Sequence, residues 1–229
     1  MAYTYAEFKQ KVLEIVKDEA EKLIPEEKER FIQEAVKFYS KYRPREVVKD
    51  ITGDGTYDYS IATNLASWIK GFSIIKSVEY PADWREPEIL DEDDWAVYEK
   101  ESGQFIRLFE STPSATETIR VIYTALHMLS DTQNTIPESD EDALANLAAS
   151  LCSAALASAY APTSDPTITA DSVDHKSKSE KYETRSRAQR KIYTDHVGIK
   201  EGQVVPATAR GDIEINYPDG TERLTHKKK

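Results

Sequence analysis

The 229-residue sequence has a single cysteine, Cys152, and it has no apolar run of the roughly 18 residues that a membrane span requires. One cysteine excludes an internal disulfide, and its small apolar neighbours predict a buried, inert thiol. The N-terminus lacks the basic start and apolar centre of a signal peptide. We therefore expect a protein that is made and used in a cytoplasm, with no membrane partner.

Basic residues are also scarce. The chain has 30 Lys and Arg against 41 Asp and Glu, which gives a net charge of −11. General binders of nucleic acid or anionic membranes need a cationic face, so this balance argues against both functions. An acidic lining suits a channel through which DNA slides without sticking. The charge balance therefore does not exclude contact with DNA of that non-binding kind.

Motifs for nucleotide binding, serine hydrolysis and zinc binding are missing from the sequence. The histidines are well separated: His127, His175, His196 and His226. Asp50, Asp54 and their neighbours resemble the first half of a calcium loop, but Ile61 stands where the loop needs a bidentate Glu. We therefore expect no catalytic residue, no cofactor and no metal ligand, and we interpret the GDG sequence as a turn.

The first 44 residues predict a helical hairpin. Apolar residues at helical spacing indicate one helix over residues 5–24 and a second from Pro25 to about Tyr42. Pro25 suits the first position of a helix, and Arg43 before Pro44 favours a helix end.

Short runs with β-type patterns follow between residues 47 and 123. They are VVKDI, YDYSI, FSIIKSVEY, WAVYE, QFIRLF and TIRVIY. In QFIRLF and TIRVIY one face is apolar and the other carries Arg107 or Arg120, as in half-exposed antiparallel strands. Residues 83–101 carry nine carboxylates against two basic residues, which we interpret as a solvated acidic lobe rather than a metal or substrate site.

Two long helices are predicted next. An alanine-rich helix begins at Pro137 or is capped by Ser139, and it continues to Tyr160. A polar helix opens near Thr169 or Asp171 and closes at Gly198. Its thin apolar stripe consists of Val173, Tyr182, Ala188, Ile192 and Tyr193.

The end of the chain indicates assembly. The basic residues Arg185, Arg187 and Arg190 could form a phosphate-contacting surface, but they better suit contact with acidic protein, such as the acidic lobe of another copy. Beyond Gly198 there is little core-forming material, but Ile213, Ile215 and Tyr217 alternate with polar residues as in a strand. We expect this tail to be mobile in isolation and to add to a neighbour's sheet edge on assembly. These six residues form the predicted partner interface.

Together these patterns predict an α+β fold with four regions. Residues 1–44 form the helical hairpin, 45–126 an inserted antiparallel β-rich domain, 127–198 the two long helices that complete a helical bundle, and 199–229 an extended tail.

The succession of segments from Arg43 to Gly198 resembles the head-tail connector, or adaptor, proteins of tailed bacteriophages. The strongest pieces are residues 119–123, the TIP-led alanine helix, and the DSVDH segment that leads a charged helix. The resemblance implies a virion structural protein, made in the host cytoplasm and located in the neck. It would form a ring, typically of twelve subunits, beneath the portal protein, extend the DNA channel and attach the next neck or tail component.

The β-rich insertion is larger than in the mainly helical minimal members of that group, so the position in the neck stays open. Two alternatives remain. A tail terminator or baseplate component would use the same ring but bind the tail tube. A hydrolase would use Asp91, Asp93 or Glu99 as carboxylate groups.

Overall fold

The computed structural model describes residues 3–18, 21–83, 88–161 and 178–199. Within these ranges the chain forms five helices and two small antiparallel sheets, which confirms the predicted α+β class. Val173 and the other predicted features of residues 162–177, together with the tail after Ile199, lie outside the described residues.

Helix α1, Tyr5–Val16, begins with a reciprocal cap. The Thr4 hydroxyl accepts the Glu7 N–H at 3.2 Å, and the Glu7 carboxylate accepts the Thr4 N–H at 2.8 Å. The Thr4 N–H and the Thr4 hydroxyl both donate to the Glu7 carboxylate, and these two hydrogen bonds lower the pKa of Glu7. Phe8, Val12 and Val16 are buried, one turn apart.

The predicted extension of α1 to residue 24 is wrong. Lys17 adopts a left-handed conformation with φ 53°, which ends the helix. The Asp18 carboxylate then accepts the backbone N–H groups of Lys22 and Leu23, at 3.2 and 3.1 Å. Leu23 is still buried, so the connection between the helices keeps its apolar contact.

Helix α2, Pro25–Tyr42, has proline at its start, as predicted. Its buried face includes Ile32, Ala35, Val36 and Tyr39. The helix ends at Arg43, which leaves the helical region before Pro44.

The strands form two three-stranded antiparallel sheets. The first has the order β1–β6–β3, with β1 Arg45–Thr52, β6 Thr118–Ala125 and β3 Ile75–Glu79. The second has the order β2–β5–β4, with β2 Asp58–Ser60, β5 Gly103–Leu108 and β4 Trp95–Lys100. A one-turn helix, α3 Ile61–Asn64, follows β2. Every predicted strand segment therefore contains a strand.

Both arginine-bearing strands are half-exposed, as the alternation indicated. In β6, Ile119, Val121 and Tyr123 are buried, whereas Arg120 faces outward and binds Asp50 at 2.8 and 3.0 Å. In β5, Arg107 holds the Asp58 carboxylate with two hydrogen bonds of 2.7 and 2.8 Å. Asp50 and Asp58, two carboxylates in the calcium-like segment, thus bind different arginines.

The GDG sequence is a turn, as interpreted. Gly55 has φ 78°, which favours glycine, and its N–H donates to the Pro113 carbonyl at 2.8 Å. A Cβ on Gly53 would lie 2.2 Å from the Ser114 carbonyl oxygen. The turn therefore packs its backbone directly on the connection between β5 and β6.

Helix α4, Glu141–Tyr160, starts later than predicted. Pro137 precedes a 3-10 turn, Glu138–Asp140, and Asp140 occupies the cap position, so neither Pro137 nor Ser139 starts the α-helix. Glu138–Tyr160 is long and apolar enough to cross a membrane by length and composition, but 61% of its apolar window is buried inside the protein, as in a core helix.

The buried face of α4 contributes to a hydrophobic core shared with α1, α2 and helix α5, Lys178–Val197. Within it Cys152 is 1% exposed, and burial raises the pKa of its thiol to about 12. The thiol is therefore neutral and inert, as predicted. A second core lies between the two sheets and includes Trp95, Ile106, Val121 and Tyr123.

Helix α5 ends where predicted, because Gly198 has φ 79° and its N–H donates to the Thr194 carbonyl at 3.0 Å. Its predicted stripe is partly wrong. Tyr193 is fully buried, but Ala188 is exposed and the Ile192 side chain is 52% exposed. Gln189 is buried instead, because its amide oxygen accepts a hydrogen bond from Ser153 on α4 at 3.0 Å.

Tyr193→Phe should leave the free energy of unfolding unchanged or raise it by up to about 1 kcal/mol, because the Tyr193 hydroxyl is buried with no hydrogen-bond partner among the described residues. Tyr39→Phe is the matched control at a second fully buried tyrosine. It removes a hydrogen bond to a carboxylate and should lower the free energy of unfolding by about 2 kcal/mol. Urea denaturation measures both variants, and equal losses would contradict the expectation.

Candidate interaction site

The carboxylate of Asp140 is the centre of a buried polar network at the start of α4. Asp140 is 2% exposed, and both of its oxygens accept hydrogen bonds. The Tyr39 hydroxyl and an Arg43 N–H donate to Oδ2 at 2.5 and 2.6 Å. His196 Nε2 and the Ser139 hydroxyl donate to Oδ1 at 3.0 and 3.1 Å. The carboxylate is therefore saturated with donors.

This environment keeps Asp140 ionised. Burial raises the pKa of the carboxyl, but the hydrogen bonds from Tyr39, His196 and Arg43 outweigh burial and hold the pKa below its usual range. Burial, together with the neighbouring carboxylate, raises the pKa of the Tyr39 phenol, which stays protonated and donates its hydrogen. The negative charge at the start of α4 also suits the helix dipole.

The network fixes the place where the last described helix ends. Tyr39 and Arg43 lie at the end of α2, Asp140 lies at the start of α4, and His196 lies in the last turn of α5. One carboxylate thereby joins three segments that are far apart in sequence.

Hydrogen bonds along α5 hold this helix against α4 and α1. The Ser186 hydroxyl donates to the Ser150 carbonyl at 2.8 Å, in addition to the bond between Gln189 and Ser153. Arg185 reaches across to α1, where its guanidinium donates to the Val16 carbonyl at 2.7 Å. Arg185 thus satisfies a carbonyl at the end of α1.

The predicted interface arginines have different surroundings. Arg185 turns toward the protein, and its guanidinium lies 5.6 Å from the centre of the Tyr182 ring. The Arg187 side chain is 78% exposed and forms an ion pair with Glu183 one turn away. Arg190 is exposed, with its guanidinium 5.7 Å from the centre of the Phe38 ring. The remaining predicted interface residues, Ile213, Ile215 and Tyr217, lie outside the described residues.

The acidic residues considered for a hydrolase lie on the surface. Asp91 and Asp93 are exposed in the loop before β4, and the Asp94 carboxylate accepts the Asp91 N–H at 3.2 Å. Glu99 on β4 is exposed and forms an ion pair with Lys70.

His127 is buried, and its Nδ1–H donates to the Thr135 carbonyl at 2.8 Å. Burial lowers the pKa of His127, so the ring is neutral near pH 7. In the described part of the chain no group of three or more His, Cys, Asp or Glu side chains is placed to hold a metal ion. His175 and His226 lie outside the described residues.

Sequence reasoning missed the members of the Asp140 network. Tyr39 looked like an ordinary member of the apolar face of α2, and Arg43 looked like a helix end. Asp140 stood in an acid-rich helix start, which signals a favourable charge but not a set of partners. The only available signal was an aspartate in a cap position, because the hydrogen bond to Tyr39 joins residues 101 apart in sequence.

Asp140→Asn should lower the free energy of unfolding at neutral pH by about 3 kcal/mol, because the amide replaces a buried carboxylate that accepts hydrogen bonds from Tyr39, Arg43 and His196. Asp142→Asn is the matched control, since the Asp142 side chain is 68% exposed and should change stability by less than about 1 kcal/mol. Chemical denaturation of the two variants checks the difference.

The same pair of variants tests the pH dependence. The pKa of Asp140 is lower in the folded than in the unfolded protein, so its contribution is complete above the unfolded value of about 4 and is lost as pH falls toward the folded value. Asp140→Asn should therefore lose less stability on acidification than the parent protein. Parallel acid unfolding curves would rule out this role for the carboxylate.

Comparison of the chain with known protein families and with curated proteins finds no match in either.

Proposed function

We propose that this chain is a virion structural protein, a head-tail connector that forms a ring beneath the portal of a tailed bacteriophage. In this role it extends the DNA channel and offers a surface to the next neck or tail completion protein. The proposal combines the resemblance of residues 43–198 to phage adaptors with the distribution of charge on the folded chain. It is a structural role that requires no catalytic residue and no cofactor.

The observation that carries the proposal is a pair of oppositely charged, exposed surfaces on different elements. Arg187, Arg190 and Lys191 are exposed on α5, and Asp93 is exposed in the acidic loop before β4. A contact between copies that joins these unlike surfaces is heterologous. Heterologous contacts close into rings when the rotation between copies allows it. Charge complementarity of this kind sets the orientation and the register of such contacts.

The finer architecture belongs to the same proposal. We interpret α1, α2, α4 and α5 as a helical bundle into which the β-rich domain is inserted, with the tail extending from the end of α5. The shared core of these helices supports this interpretation. Alanine along α4 allows close approach between helices, so a narrow subunit can pack beside its neighbours around a ring.

The acidic character of the chain suits a DNA channel. A net charge of −11 disfavours lasting contact with phosphate groups, so double-stranded DNA passes without sequence-specific binding. In the proposed ring, typically of twelve subunits, the tail contacts the portal. The protein is made in the host cytoplasm, is located in the virion neck and needs no membrane.

Binding to portal-containing particles of the same virus tests the role directly. We expect the full chain to bind and to add ring-shaped density in negative-stain images. A version ending at Gly198 should lose binding, because Ile213, Ile215 and Tyr217 are absent. A full chain with Lys49→Glu controls for nonspecific charge effects, since Lys49 is exposed on β1. Binding by neither the full chain nor the truncated chain would contradict the connector role and favour a tail component.

A charge exchange tests the contact between copies. Arg187→Glu or Asp93→Arg alone should weaken ring formation on the particles roughly tenfold, because each places like charges together. The double variant Arg187→Glu with Asp93→Arg should restore it. Occupancy of subunits per particle, measured by quantitative gel staining and imaging, gives the comparison. If the double variant is as weak as the single variants, these surfaces do not meet.

A further inference from the structure

A cleft of about 430 Å³ lies between α2, the start of β1, the segment after α3 and the segment after β6. Its volume is within the range of roughly 300–1,000 Å³ typical of ligand pockets. Trp68, Ile69 and Met128 contribute apolar wall, and Ile69 and Met128 are 40% and 43% exposed. Lys37 from α2 and Arg45 from the start of β1 also line it.

The cleft is lined by positively charged side chains, whereas the chain as a whole is negatively charged. None of its lining residues is Asp or Glu, although the whole protein carries a net charge of −11. Arg45 donates from Nη2 to the Ser67 hydroxyl at 3.3 Å, but its Nε has no hydrogen-bond partner among the described residues. Lys37 is exposed on the same side. An occupant with carboxylates next to apolar side chains would complement both features.

His127 adds apolar surface rather than charge to this cleft. Burial lowers its pKa, and its ring lies 5.1 Å from that of Tyr39, centre to centre. The positive charge of the cleft therefore comes from Lys37 and Arg45.

One segment of the chain has the required chemistry. Residues 212–217 read Asp-Ile-Glu-Ile-Asn-Tyr, so an extended chain would place Ile213 and Ile215 on one face and two carboxylates on the other. Charge and apolar pattern both match the cleft.

The end of the described chain lies near the cleft. His196 contacts Asp140, Asp140 contacts Tyr39, and the Tyr39 ring lies against His127, which lines the cleft. Residues 200–211 can span up to roughly 40 Å when extended, which is ample for this separation. The same chain can therefore supply the occupant.

We propose that residues 212–217 dock into this cleft of their own chain, with Ile213 and Ile215 against Trp68 and Met128 and with Asp212 and Glu214 near Lys37 and Arg45. Docking covers the apolar face of the segment in the unassembled protein, and it replaces the expectation from the sequence pattern that this part of the tail is mobile in isolation. A partner that binds the segment must then displace it from the cleft. The inference concerns the isolated chain and does not depend on the connector role.

Cysteine cross-linking of the full chain tests the docking. Met128→Cys with Ile215→Cys should give an efficient cross-link within one chain when treated with a short bismaleimide, and mass spectrometry identifies the linked peptides. The native Cys152 is buried and inert, so it does not interfere. Val48→Cys with Ile215→Cys is the matched control, because Val48 is 58% exposed on β1. Adding Lys37→Glu should lower the yield at Met128→Cys roughly threefold through like-charge repulsion.

Oxidation of Met128 provides a second readout without new cysteines. The full chain with Ile213→Asp and Ile215→Asp should form sulfoxide at Met128 several-fold faster in dilute peroxide than the parent protein, because the docked segment shields the thioether. Thermal unfolding by circular dichroism checks that the variants are folded. Equal yields at the two cysteine positions with unchanged oxidation would overturn the proposal. A cross-link joining two chains would overturn docking within one chain and assign the cleft to a second copy.

Discussion

The buried carboxylate of Asp140 requires hydrogen-bond donors, and three helices of this protein meet where those donors are supplied. Asp140 is nearly inaccessible, so its negative charge would be very unfavourable without the hydrogen bonds from Tyr39, Arg43 and His196. Those donors come from two other helices. The end of α2, the start of α4 and the end of α5 must therefore converge for the charge to be satisfied. Such a contact favours one arrangement of the helices over others that would bury a similar apolar area.

Much of the fold could be predicted because local patterns agree with it. The strands follow the alternation of apolar and polar residues, and Arg107 and Arg120 mark the outward faces correctly. The ends of the helices were harder to predict from the sequence. Lys17 ends α1 in a left-handed backbone conformation, which a lysine does not predict because glycine and asparagine are the usual residues there. The cap of α4 is Asp140, whose hydrogen-bond partners Tyr39, Arg43 and His196 are distant in sequence.

The candidate site was less predictable than the fold, since its contacts join residues far apart in the chain. Sequence spacing assigned Ile192 to the buried stripe of α5, but the pair of Ser153 and Gln189 turns a different face inward. Arg185 was grouped with Arg187 and Arg190 by charge alone. In the folded chain it reaches the last carbonyl of α1, whereas the other two remain exposed. A charged residue in a sequence indicates that its partner carries an acceptor or an opposite charge. It does not indicate whether that partner lies in the same chain or in another protein.

The turn at Gly53 carries a consequence for how the two sheets are connected. The chain passes from β1 in the first sheet to β2 in the second through this turn, and the connection between β5 and β6 is another crossing between the sheets. Gly53 places these two crossings in backbone contact, where even a methyl group would strike the Ser114 and Pro113 carbonyls. The absence of a side chain at residue 53 therefore allows these two crossings to approach each other closely. A side chain at residue 53 would push these two crossings apart, so this position should tolerate as little change as a core position, although it lies in a turn.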